Sequence, residues 1–155
     1  MLKFFADYLD HLEHCHNDIL KALEGLSPAA LDWNPGPQMN SISVLLFHLT
    51  GAERFWIGDI ALQDPSNRDR EAEFKVVNVD LDTHNKRLDD NLHYARTAFD
   101  KLSLQDLETL RFTPRDGNQY TVAWALLQAL EHSHTHLGQI QLTRQLWEQR
   151  QTSEA

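Results

Sequence analysis

The stretch "TVAWALLQALEHSHTHLGQIQLTRQLW" (121–147) decides how this chain is read. It holds no proline and one glycine, and its inward positions recur in threes and fours: Val122, Ala125, Ala129, His132, His136, Gln139 and Thr143. That period is the stripe of a helix that buries one face. The stripe is apolar at its start and then carries imidazoles, three histidines within "HSHTH". His132 and His136 are four apart, about 40° around a helix, and so share a face. His134 lies about 200° from His132 and points away from that face.

Three other segments repeat the period. Leu2, Phe5, Leu9, Leu12, His16, Ile19 and Leu23 form a stripe that stops at Gly25 and Ser27-Pro28. "SPAALDW" forms one short turn and "NPGPQMN" an irregular connection. A second helix starts at Ser41, an N-cap residue, with Leu45, His48, Ala52, Phe55, Asp59 and Leu62 inward. "QDPSNRDREAEF" follows as a polar connection. A third helix spans 81–102, with Leu81, Leu88, Leu92, Ala95, Phe99 and Leu102 inward and Asp80 or Asp82 as its cap. A hairpin at Asp116-Gly117 separates it from the last helix, which runs over 121–150. Four amphipathic helices without long strands predict an all-α four-helix bundle, one domain over 1–150 with a polar tail at 151–155.

Length and composition agree. One hundred and fifty-five residues suffice for one domain with a sizeable core. With 41% apolar and 24% charged residues the chain has globular rather than disordered composition. A formal charge of −9 and no basic cluster argue against a nucleic-acid partner. No apolar run reaches the roughly 18 residues of a membrane span, and the N-terminus lacks a signal-peptide core. A single cysteine, Cys15, allows no intrachain disulfide; a reducing cytoplasm is the expected location. Cys15 has no identifiable base and reads as a packing residue. No phosphate loop and no serine-hydrolase elbow is present.

The chemistry lies in the histidines. An H-x-x-x-H pair alone is a weak signal in a chain with nine histidines. Here, however, His132 and His136 replace apolar residues on a buried stripe, and His48 does the same on the second helix. Three buried imidazoles that were separately hydrogen-bonded would need three partners, whereas one divalent ion satisfies all three. Three protein ligands leave a coordination position open, as in catalytic sites. Imidazole ligands suit Zn, Ni, Fe or Cu, so the donor set does not select the metal. His16 sits on the seam of the first helix, either within reach of the site or as a satisfied core histidine. Gln139 shares the His132 face, to line the pocket or to pack. Asp59 is about 16 Å along the axis from His48, too far to bind the same ion. Glu53 and Glu131 point off the histidine stripe. Trp56, Trp124 and Trp147 read as core or rim packing.

"SISVLLFHLTGAERFW" (41–56), "ILKALEGLSPAALDW" (19–33) and the helix over 121–147, with H-x-x-x-H followed by a Gly-Gln-Ile step, together resemble the DinB-like family. The resemblance covers nearly the whole chain. It implies a bundle in up-down-down-up order, a homodimer, and a divalent metal (Zn, Ni or Fe) on three histidines that match His48, His132 and His136. It also implies an enzyme that activates a low-molecular-weight thiol, of the bacillithiol or mycothiol kind, for transfer to an electrophile. Alternatives within the same resemblance are a metal-dependent hydrolase, with hydroxide in the thiolate's place, and a non-catalytic metal- or ligand-binding stress protein.

Overall fold

Four long helices and a small hairpin make up the computed structural model, which describes residues 1–113 and 115–154. Helix α1 spans Lys3–Leu23 and ends at Gly25, whose φ of +76° suits glycine. The short helix α2, Pro28–Asp32, starts with Ser27 accepting from the Ala30 N–H and proline in its first turn. Helix α3, Ile42–Arg54, is capped by Ser41, which accepts from the Val44 N–H. It continues without a break into a π-helical stretch, Phe55–Leu62, that ends at Gln63 with a left-handed φ of 55°.

The expected polar connection after α3 contains a further short helix, α4 (Arg70–Glu73), capped by the Asp69 carboxylate. Helix α5 spans Leu81–Phe99, capped by Asp80. It stops three residues before the expected end, where the Asp106 carboxylate draws in the Ser103 N–H and hydroxyl and turns the chain. Strands β1 (Leu110–Phe112) and β2 (Gln119–Thr121) pair antiparallel around the Asp116-Gly117 turn. The last helix, α6, runs Val122–Glu154. It outlasts the expected end because residues 151–154 hold no breaker, and Thr152 and Ser153 bond back to the Gln149 carbonyl.

Side-chain pairings fix the direction of each helix. Tyr8 donates to the Leu126 carbonyl and Arg144 to the Ala22 carbonyl, so α1 and α6 run parallel. Glu53 meets Ser133 while Trp56 meets Trp124, so α3 runs against α6. Ser43 meets His84 and Glu53 meets Asn91, so α5 runs with α3. Phe5 stacks on Phe99 while Glu13 reaches Arg96, so α5 runs against α1. The order is therefore up-down-down-up. Each of α1 and α3 packs against both α5 and α6, which sets α1 diagonal to α3 and α5 diagonal to α6, while the consecutive α3 and α5 lie side by side.

The core has two apolar halves. One gathers Phe5, Leu12, Trp56, Phe99 and Ala125; the other gathers Ile19, Leu23, Leu46, Leu49, Leu88 and Ile140. A polar layer lies at the level between them. There Glu53, 1% exposed, accepts from Ser133 and Asn91 and pairs with His16 at 2.9 Å. No helix among the described residues is long and apolar enough to cross a membrane.

Candidate metal centre

The antiparallel packing of α3 on α6 brings His48 against the His132–His136 pair. One ring nitrogen from each of the three lies within 4.8 Å of the other two. The ring centroid of His48 is 5.0 Å from that of His132 and 5.2 Å from that of His136. His132 and His136 face each other through their Nε2 atoms at 3.2 Å.

Two neighbours set the tautomers. His48 Nδ1 donates to Glu73 Oε2 at 2.9 Å, and His136 Nδ1 donates to Gln139 Oε1 at 2.6 Å. In a neutral ring, a proton on Nδ1 leaves Nε2 with its lone pair, the form that binds metals. Burial, followed by the His136 and His48 rings, pushes His132 down to about 3; burial also pulls His136 down. Both rings are thus neutral at physiological pH. His132 Nδ1 is buried without a hydrogen-bond partner. Clustered neutral imidazoles whose ring nitrogens converge fit a divalent cation.

Glu73 was not legible as part of this site. It sits at the end of α4, 6% exposed, gripped by Arg68 through Nε and Nη2 at 2.5 and 2.7 Å. Burial raises its carboxyl, but Arg68 and His48 outweigh this and hold it below the usual range. Gly51 makes room for it: a Cβ there would stand 2.1 Å from Glu73 Oε1 and 3.0 Å from Arg68 Nε. The only sequence signal was an acidic residue in a charged connection.

The other candidates are placed as follows. His16 lies in the polar layer on Glu53, not among the three clustered rings. Gln139 is exposed and touches His136. Asp59 is tied up at the bundle end by Arg54 and Ser66. Glu131 and His134 are exposed, with His134 bonded to the Leu130 carbonyl. Cys15 is buried, and burial pushes its thiol up to about 12, which suits a packing residue. Trp147 packs on Trp33, away from the histidines. Trp56 and Trp124 line a cavity beside them.

Fold and site together define a four-helix-bundle protein with a three-histidine cluster between its second and fourth long helices. Residues 7–149 match the mycothiol-S-transferase family, and the chain belongs to it. No curated protein sequence matches. Solved structures that share the fold include the following two. A conserved protein from Enterococcus faecalis is 17% identical with a TM-score of 0.75, over 94% of this chain and 98% of that one. YfiT from Bacillus subtilis, described as "a probable metal-dependent hydrolase with an unusual four-helix bundle topology", is 17% identical with a TM-score of 0.74, over 94% of this chain and 89% of that one.

Proposed function

We propose that His48, His132 and His136 hold one divalent cation and that the protein is a metal-dependent thiol S-transferase. The convergence of three ring nitrogens, two with tautomers fixed by Glu73 and Gln139, carries this reading. Family membership supplies the reaction class. A bound cation would lower the pKa of a thiol and present it as thiolate. In the transfer, the sulfur lone pair forms a carbon–sulfur bond. The group displaced from that carbon leaves with its electron pair, and the thiol proton passes to solvent.

The chain's own residues support thiolate chemistry better than water activation. A hydrolase needs a free general base near the nucleophile. Glu73 is engaged by His48 and Arg68; Glu53 is engaged by His16, Asn91 and Ser133. A thiol ionises more easily and needs no such base. The bacterial thiols of the bacillithiol and mycothiol kind are the candidate substrates, in a reducing cytoplasm.

The test is conjugation of a chromogenic electrophile with different thiols by protein carrying Zn, Ni or Fe. Metal-dependent turnover with a thiol is expected. Metal-dependent ester or amide hydrolysis without any thiol requirement would replace this reading by the hydrolase.

A further inference from the structure

A cavity of about 210 Å³ opens directly on the histidine cluster, with His48 and His132 in its wall. Its charge is opposite to that of the chain. The protein carries −9, yet Arg68, Arg70 and Arg115 converge here around one carboxylate, Asp116. Arg68 is neutralised by Glu73. Asp116 is turned onto its own hairpin, where it accepts from Thr113, the Asn118 N–H and Tyr120. Neither Arg70 nor Arg115 makes an ion pair among the described residues. Both are held on rings instead: Arg70 over Phe74 at 4.9 Å and Arg115 over Trp56 at 5.9 Å. Phe74 in turn rests against His48, with centroids 4.8 Å apart.

The remaining wall is aromatic. Trp124 stacks on Tyr120 at 3.9 Å and meets Trp56 edge-on at 5.3 Å. Two guanidiniums without counter-ions, at the mouth of an aromatic slot, are the donors that recognise a planar carboxylate. The volume is below the ~300–1,000 Å³ of pockets for drug-sized ligands, so a small molecule or the end of a larger one fits.

We propose that this cavity is a carboxylate subsite of the transferase: Arg70 and Arg115 bind the carboxylate of one reactant, and Trp56 and Trp124 hold its body beside His48 and His132. This rests on the S-transferase reading for the word reactant, and on the cavity alone for the binding. The carboxylate can belong to the thiol or to the electrophile; the recognising chemistry is the same.

The binding test uses benzoate against benzamide, followed by tryptophan fluorescence and calorimetry, on metal-free and zinc-loaded full-length protein. Benzoate should bind both forms and benzamide neither. Arg70→Gln and Arg115→Gln should each weaken benzoate about tenfold. Both side chains are exposed, so the variants should keep the parent melting temperature. Arg115→Lys should recover part of the loss, as a charge without the fork. Benzoate binding that disappears on chelation but survives the double glutamine variant would place the carboxylate on the ion and overturn the proposal. Failure of benzoate to bind either form would overturn it as well.

Turnover then separates the sources. On zinc-loaded protein, 3-mercaptopropionate is compared with 3-mercapto-1-propanol, and 4-(chloromethyl)benzoate with benzyl chloride. A preference for the acid in one pair, lost in the arginine variants as a rise in KM, assigns the carboxylate to that reactant. Equal rates in both pairs, unaffected by the variants, would overturn a reactant role. Absence of all thiol turnover together with arginine-dependent benzoate binding would reject the S-transferase reading and leave the anion site standing.

Discussion

The Glu73 carboxylate bridges His48 and Arg68: Oε2 accepts from His48 Nδ1 at 2.9 Å while both oxygens are forked by the guanidinium. The crossover between α3 and α5 thereby fixes the ring of a histidine on α3. Glu73→Gln should keep the fold and lower metal affinity by about 10- to 100-fold, because the ring loses its anionic orienter. Competition titration with a chromogenic chelator measures this. Parent-like affinity would remove Glu73 from the centre.

Gly51→Ala tests the same contact from the backbone side. The new Cβ would overlap Glu73 Oε1, and the carboxylate is pinned by its partners, so it must leave His48. A helical Gly→Ala change ordinarily stabilises by roughly 0.5–1 kcal/mol. Here metal affinity should fall instead, with no gain in melting temperature of the metal-free protein. A gain in stability at unchanged affinity contradicts the packing described.

His136→Ala and His134→Ala differ by two positions and should differ in outcome. The first removes a converging nitrogen; the second removes an exposed ring bonded to the Leu130 carbonyl. Elemental analysis of purified variants should show metal loss only in the first. Equal loss in both would falsify the ligand assignment.

The buried His16–Glu53 pair gives stability a pH window. For Glu53, burial raises the carboxyl, but the His16 charge and the bonds from His16, Asn91 and Ser133 outweigh it and lower the value. For His16, burial lowers the imidazole, but Glu53 outweighs it and raises the value. A lowered carboxylate contributes fully above its unfolded value near 4.5 and loses this as pH falls through the folded one. A raised imidazole contributes fully below its unfolded value near 6.5 and loses this as pH rises through the folded one. The pair's contribution should therefore be greatest between about 4.5 and 6.5. His16→Gln/Glu53→Gln should flatten the melting profile of the chelated protein over pH 4–9 relative to the parent. Superimposable profiles would show that the pair does not titrate as described. Glu53→Ala alone, which strands a buried imidazole, should cost about 3–5 kcal/mol.

Much of this arrangement was legible, and the exceptions share a cause. His132 and His136 announce themselves by spacing within one helix, and His48 by standing where an apolar residue belongs. Periodicity also gave the four long helices, and the Asp116-Gly117 turn signal gave the hairpin. Glu53 was read as off the histidine stripe, which it is, but its burial in the polar layer was not foreseen. Five residues beyond His48 is about 140° around the helix, which does leave the histidine face. But α3 touches both α5 and α6, so its buried arc is wider than one stripe, and Glu53 enters the interior on the other side. Glu73 was hidden because nothing local separates it from Glu71; only the path of the crossover brings one of them to His48. The π-helical turn of "FWIGDIAL" left no periodic trace either, since its extra residue per turn shifts the register within a segment that is apolar on nearly all sides.

The diagonal placement of α1 from α3, and of α5 from α6, has a consequence for how the chain reaches its native state. In a bundle with hairpin-connected neighbours, each new helix can dock on the one just made. Here only α3 and α5 are consecutive long helices that dock on each other, and α1 must wait for α5 and α6, so the polar layer and the histidine cluster both assemble from distant parts of the chain. Glu53 and Ser133, for instance, are 80 positions apart. High sequence separation of contacts slows folding relative to local bundles of equal size. It also denies α1 and α3 a shared core, so the first half of the chain, released alone, cannot bury the apolar faces of these two helices against each other.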